Sequence, residues 1–243
     1  MPTVLITGGT RGIGLALGRA FARKGWKVGA CYHRDEASAG AAALELASLS
    51  EGSRVDLCDV TRPDQVGQWT KECLDRWGSL DCVIHNAGAT WNARLLNVEE
   101  EQWGDTLQVH LKGAFLLAKA CLRPMLRREG GHFIFVSSVV ASSGNIGQGS
   151  YTAAKAGLVG FARSLALEYG AKNIRSNVVY PGFHKTRLAD NLSPEAEEAI
   201  RKRHLLGRTA DLGEVAEFTV WLAGTKNISG QVFNLDSRLP GWL

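Results

Sequence analysis

The chain reads as an α/β protein built on one doubly wound parallel sheet of about seven strands, with helices on both faces. Three observations carry that reading. Short apolar runs alternate along the chain with longer segments of helical spacing, the rhythm of βαβ units. The first apolar run passes at once into a glycine-rich turn and then a helix. No internal repeat, low-complexity tract or interdomain linker breaks the order, so residues 1–243 are expected to form a single domain, a length at which one α/β core is ordinary.

Residues 4–7, Val-Leu-Ile-Thr, are the first expected strand, and Gly8-Gly9-Thr10-Arg11-Gly12-Ile13-Gly14 leads from it into a helix over 15–24. Glycines let the backbone turn tightly and approach a pyrophosphate, whose charge is favoured by the free amides and positive dipole end of the helix. The spacing here is Gly8-x-x-x-Gly12-x-Gly14, not the commoner Gly-x-Gly-x-x-Gly. The second strand, 27–31, exits as Tyr32-His33-Arg34 before the first acid, Asp35. Enzymes using NAD place an Asp or Glu about 20 residues beyond the glycines to hold the ribose hydroxyls. Arg34 offers a phosphate partner instead, with Arg11 as a second positive charge on the same side, so NADP(H) is the expected cofactor. In the competing reading Arg34 is a solvent-exposed turn residue and Asp35 takes the ribose.

Helices are expected over 36–49 and 63–77, with strands at 54–57 and 80–84. The tract 100–128 is helical in pattern almost without a break. Residues 132–136 are an apolar β run, a helix starts near Tyr151, and 173–180 is the next strand. Ser193-Pro194 is a helix-start signal, and the charged segment 187–206 reads as a mobile helical flap. A helix over 213–223 and a strand over 231–235 complete the sheet.

Between the fifth strand and its following helix, the loop brings Ser138 to a strand end and Tyr151 to a helix start. Tyr151 and Lys155 are i and i+4, stacked on one helix face. A phenol beside an ammonium, with a hydroxyl arriving from a strand end, makes a proton donor for a carbonyl oxygen. The free phenol pKa of about 10 is too high for easy exchange near neutrality, and the lysine charge is expected to lower it. Alternation on the strand points Ser137 and Ser138 to opposite faces. Tyr-x-x-x-Lys is common by chance, and its weight here comes from agreement with the glycine loop at the other end of the chain. Gly-x-Ser-x-Gly is absent, so no nucleophile elbow is expected, and no His/Cys/Asp/Glu set has metal-ligand spacing.

A net charge of +4 spread along the chain does not imply nucleic-acid binding. Two clusters, Arg123 with Arg127 and Arg128, and Arg201-Lys202-Arg203-His204, read as solvated helix faces or contacts for an acidic partner. Five cysteines with no Cys-x-x-Cys pair suit reduced, buried thiols. No apolar run approaches the ~20 residues of a membrane span, and residues 1–6 show no signal pattern. A cytoplasmic protein is the expectation.

With the glycine loop and the Ser138, Tyr151, Lys155 set both in view, the chain resembles the short-chain dehydrogenase/reductase family, whose domain is Rossmann-type. Thr7-Gly8-x-x-x-Gly12-x-Gly14 matches the family's cofactor motif, Asn86-Ala87-Gly88 its mid-chain motif, and Pro181-Gly182 followed by Thr186 its late cofactor loop. The resemblance implies that Gly8, Thr10, Arg11, Gly12, Ile13 and Gly14 cradle the cofactor and that Tyr32, His33 and Arg34 border its ribose. It places Asp59 and Val60 at the adenine, Asn86, Ala87 and Gly88 along the cofactor, and Pro181, Gly182 and Thr186 over the nicotinamide. Ser138 would polarise a substrate carbonyl, Tyr151 deliver the proton, and Lys155 assist the phenol and bind ribose. It also implies a homotetramer through helices over 110–128 and 151–169, with Ala153, Ala154, Gly157, Gly160 and Ala162 allowing close approach.

Two departures stand out. His110 replaces the usual active-site Asn, which in the family bends a helix so that a main-chain carbonyl holds a relay water for the lysine. Either the His110 carbonyl keeps that role or the imidazole adds a titrating group. Asp236-Ser237-Arg238 stands where relatives often have Asp-Gly-Gly.

Within the family the chain is most similar to 3-oxoacyl-[acyl-carrier-protein] reductases, through Ser138-Val139-Val140, Gly144-Asn145-Ile146-Gly147-Gln148, Ala153-Ala154-Lys155-Ala156-Gly157-Leu158, Asn177-Val178-Val179 and Pro181-Gly182-Phe183. This implies NADPH-dependent reduction of a 3-oxoacyl thioester in fatty acid biosynthesis, with an acyl carrier protein as partner. Lys172 occupies one docking position, Glu129 stands where the other usually has arginine, and Arg127 and Arg128 lie beside it. The alternatives are a reductase or alcohol dehydrogenase for a free small ketone, and a cofactor-binding regulatory protein without catalysis.

Overall fold

The computed structural model of the chain describes residues 1–185 and 193–239. Seven strands form one sheet: β1 Thr3–Thr7, β2 Lys27–Tyr32, β3 Arg54–Leu57, β4 Cys82–His85, β5 Gly131–Val136, β6 Ile174–Tyr180 and β7 Val232–Asn234. Every neighbouring pair is parallel, in the order β3-β2-β1-β4-β5-β6-β7. The chain winds outward from β1 to β3, then crosses back to β4 and winds the other way. The carboxyl ends of β1 and β4 therefore flank the switch point, where open α/β sheets bind ligands.

Strand residues alternate between two buried layers, as the pleat requires. Leu5, Cys31, Val83, Phe133, Phe135 and Val178 face one layer, packed under α3 Pro63–Trp77, α5 Gly113–Arg127 and α7 Gly149–Tyr169. Val4, Ile6, Val28, Ala30, Ile84, Ile134 and Val179 face the other, under α1 Gly12–Arg23, α2 Glu36–Leu49 and α9 Leu212–Gly224. All five cysteines are buried and free. Among the described residues, no helix is long and apolar enough to cross a membrane.

The tract 100–128 is not one α-helix. It is α4 Glu100–Leu107, a π-helical turn Gln108–Lys112, and α5. A π turn inserts one residue into the helical ladder, and both flanking segments keep helical spacing. Two close approaches seat it: a Cβ on Gly88 would stand 2.3 Å from His110 Cε1, and one on Gly157 3.0 Å from Leu111 Cδ2. This alters the expected interface set. Ala154 and Ala162 are buried in the chain's own core and Gly157 faces Leu111, leaving Ala153 and Gly160 exposed.

The short helix α6 Val140–Ser143 follows β5, and α8 Pro194–Lys202 covers part of the expected flap. Thr186 and flap residues 187–192 lie outside the described residues. The 201–204 cluster is not uniformly a solvated face, because His204 is buried and turned toward Asp236 at 3.5 Å.

Candidate active site

The cradle at the end of β1 is main chain. Gly8 adopts φ +62°, and a Cβ on Gly14 would stand 2.1 Å from the Gly8 carbonyl oxygen, so only glycine allows α1 to start this close to the strand. The residue before α1, Arg11, is extended, offers no side-chain cap, and no acid stands in the first turn. The first amides of α1 and its positive dipole end are thus left for an external anion, which fits a cofactor pyrophosphate. Thr10 is buried and Ile13 half-buried beneath this turn. Asn86 Nδ2 donates to the Thr7 and Gly8 carbonyls at 3.2 and 3.0 Å, holding the β4 exit against the β1 exit. Ala87 closes on Gly8, whose Cβ position lies 3.1 Å from the Ala87 Cα.

At the end of β2, Tyr32 is half-buried, while His33 and Arg34 are exposed. His33 Nε2 lies 3.6 Å from Asp59 Oδ2. Burial works against the Asp59 carboxylate, but two hydrogen bonds from Thr61, helped by the charges of His33 and Arg62, carry its pKa below the usual value. Val60 is buried against Gly113. Asp35 is engaged elsewhere: it caps α2 through Ser38 N at 3.1 Å and pairs with Arg11 at 2.9 Å. Arg11 was expected to serve a phosphate jointly with Arg34; here it spends its charge on Asp35. Arg34 makes no ion pair among the described residues.

Across the switch point lie Ser138, Tyr151 and Lys155. Ser137 Oγ donates to the Lys155 carbonyl at 2.8 Å and pins the first turns of α7, so it is committed to structure. Ser138 lies on the other side, half-buried, and its side chain interacts with the Tyr151 phenol. Lys155 is buried, donates from Nζ to the Val136 carbonyl at 2.7 Å, and sits 5.5 Å from the Tyr151 ring centroid. Burial brings its amine down to about 7.

The phenol departs from expectation. Burial pushes Tyr151 up to about 12, opposed by Ser138 and by the charge of Arg238. The lysine does not depress it, because the same desolvation that raises a phenol disfavours the ammonium beside it.

His110 is buried in the π turn, its ring edge-on to Tyr151 at 5.3 Å. Its Nε2 lies 2.6 Å from the Ala89 carbonyl, the distance of a donated N–H. Burial, with the Lys155 charge, holds its pKa well below the ordinary value, so the imidazole is neutral near neutral pH. The histidine therefore fixes the backbone after Gly88 and brings no ionisation to this pH range.

Pro181 is buried, and Gly182 at φ +89° passes so close to Asp236 that a Cβ would stand 2.8 Å from the aspartate Cβ. His184 Nε2 donates to the Pro181 carbonyl at 2.7 Å. The segment 236–238, whose conformation the sequence left open, is a clamp. Buried Asp236 accepts from Arg238 Nε at 2.6 Å, and Ser237 accepts from Leu205 N and Leu206 N at 3.1 and 3.3 Å. Sequence reading missed Arg238 as a charge acting on Tyr151; the loss of the Gly-Gly pair was its signal. It also missed His85, at the end of β4. Among the described residues no group of three or more His, Cys, Asp or Glu could hold a metal.

The comparisons with known proteins agree with this geometry. A family model described as enoyl-(acyl carrier protein) reductase matches residues 8–237. The 3-oxoacyl-[acyl-carrier-protein] reductase FabG of Chlamydia trachomatis is 35% identical over 241 residues, covering 98% of this chain and 96% of that one. Carbonyl reductase family member 4 of Xenopus tropicalis is 37% identical over 235 residues, 96% of each chain. A crystal structure of an actinorhodin polyketide ketoreductase variant with NADPH superposes with a TM-score of 0.92 at 27% identity, covering 99% of this chain and 98% of that one. A glycine cradle at the switch point facing a serine, tyrosine and lysine, together with these near-full-length matches, places the chain in the short-chain dehydrogenase/reductase family of NAD(P)-dependent oxidoreductases.

Proposed function

We propose that the protein is an NADPH-dependent carbonyl reductase whose substrate is a 3-oxoacyl thioester, reduced to the 3-hydroxyacyl product. The observation that carries this reading is the meeting of Tyr151, Lys155 and Ser138 with an amide-open glycine turn at one sheet edge. The residues named for cofactor binding, from Gly8 to Pro181 and Gly182, border that edge, and Thr186 is assigned with them by resemblance. A nicotinamide cofactor held by this cradle would supply the hydride. Ser138 holds the carbonyl oxygen and Tyr151 gives it a proton. A phenol kept protonated is the form that reduction consumes, and the Lys155 amine, near about 7, exchanges protons in the working range to reload it. NADPH is preferred because Arg34 is left for a 2'-phosphate while Asp35 is held by the α2 cap and Arg11.

The thioester reading is supported by the FabG relatives, and a free small ketone is the second reading, supported by the carbonyl reductase relative. The whole of 1–243 acts as one domain, and an acyl carrier protein docks near Lys172, Arg127 and Arg128, which are exposed around the turn at Glu129. Exposed Phe115 and Gly160 belong to the helices through which a homotetramer would form. The test is NADPH oxidation with acetoacetyl thioester, carrier-bound and free, beside unrelated ketones. Faster turnover of the thioesters is expected; turnover of ketones alone selects the second reading, and no turnover of any carbonyl compound defeats both.

A further inference from the structure

The hydroxyl of Thr7, the last residue of β1, has its bonding fully determined. Its Oγ1 accepts from the backbone N–H of Asn86 and of Ala87, both at 3.0 Å. A hydroxyl has two lone pairs and one proton, so with both lone pairs taken it must donate. The acceptor is His85 Nδ1 at 3.1 Å. His85 therefore carries its own proton on Nε2.

That Nε2–H is buried and has no hydrogen-bond partner among the described residues. Its ring lies under the π turn: a Cβ on Gly113 would stand 3.2 Å from His85 Cε1. The carbonyls of Val109 and His110 act on the ring as weak acceptors, neither meeting Nε2–H at full hydrogen-bond geometry. Parallel register sets His85 beside Phe135, one residue before Val136, whose carbonyl receives the Lys155 ammonium. Burial and the Lys155 charge hold the imidazole at about 3, so it is a permanent donor. Buried polar groups seldom go unanswered, and a site rich in carbonyls is one that a water occupies.

We infer that His85 is a positioning residue for the reduction: its Nε2–H, locked by Thr7, orients a water against the carbonyls of the π turn, from which protons reach Lys155. The catalytic meaning of this assignment rests on the proposed reduction; the tautomer does not. Each turnover moves one hydride to the carbonyl carbon and one proton to its oxygen. That proton leaves Tyr151, is replaced from Lys155, and Lys155 is recharged from solvent through the water, while His85 itself neither gains nor loses one.

Two measurements test it. In the full-length protein with ¹⁵N-labelled histidine, His85 should show a bare Nδ1 and a protonated Nε2 that receives magnetisation from water, and Thr7→Val should release the tautomer. An Nδ1–H form, or an Nε2–H without contact to water, overturns the inference. In turnover, His85→Leu should lower kcat about tenfold or more, raise the solvent deuterium isotope effect on kcat, and leave KM for NADPH unchanged. His85→Gln, which keeps an acceptor and a donor, should restore most of the rate. A loss of kcat with an unchanged solvent isotope effect, or no recovery in His85→Gln, overturns it. A wild type that reduces no carbonyl compound defeats the functional reading, and the tautomer measurement then decides this one by itself.

Discussion

The two sides of the cleft are built from different materials. On the β1 side the working surface is backbone: glycines at 8, 12 and 14, and helix amides that no side chain caps. On the β5 side it is side chains: the Ser138 hydroxyl, and Tyr151 and Lys155, whose proton affinities are shifted by burial. The first side works by omission and tolerates no added atom. The second works by desolvation, which sets the proton affinities of Tyr151 and Lys155. An error in the cradle should therefore appear in cofactor affinity, and an error at the phenol in turnover.

The sharpest way to separate the sides is Tyr151→Phe, which keeps the ring against His110 and removes the proton donor. Its kcat is expected to fall about 10³-fold with NADPH affinity nearly unchanged; more than a tenth of the wild-type kcat would show that another group delivers the proton. Gly14→Ala is the converse. With the new methyl 2.1 Å from the Gly8 oxygen, α1 must retreat, and titration with NADPH should show affinity lower by about 10²-fold, a loss of the order expected for a misplaced anion site.

A smaller effect tests cofactor choice within the cradle. Arg34→Ala should remove most of the NADPH preference in kcat/KM, about tenfold, since a charge-assisted contact is worth ~1.5 to 3 kcal/mol. Equal use of NADH and NADPH by the wild type would return the ribose to Asp35. His110→Asn should change kcat by less than about threefold, and its pH profile should lose no ionisation near 6.5, the ordinary histidine value, because the imidazole is already neutral. A lost ionisation in paired pH-rate profiles would make the side chain a relay after all.

The least effect concerns stability without cofactor. Folding lowers the Lys155 pKa to about 7, so above that pH the unfolded chain holds a proton that the folded chain has given up. Stability from this group therefore rises with pH between about 7 and the unfolded value near 10.4. Denaturant titrations of wild type and Lys155→Met at pH 7 and 8.5 should differ by that slope; parallel curves would show a lysine charged in the folded state.

Much of this was legible before any coordinates. The βαβ alternation, the strand-glycine-helix junction at residues 4–14 and the i, i+4 pair Tyr151 and Lys155 are local patterns, and local patterns survive in one dimension. What the sequence did not display was anything dependent on surroundings. The small residues of α7 look alike in sequence, yet Ala154 and Ala162 pack inside while Ala153 and Gly160 lie outside. Arg11 and Arg34 look like one phosphate clamp, yet Arg11 meets Asp35 across the loop.

By itself the sequence determined the fold class, the order of the strands' motifs and the pairing of Tyr151 with Lys155 on one helix face, because backbone propensity, apolar spacing and glycine requirements act between near neighbours. Only the tertiary structure decided the protonation of those side chains, the π turn that receives His110, and the tautomer of His85. Each of these depends on groups brought together from distant parts of the chain, where desolvation and hydrogen-bond supply are set by packing.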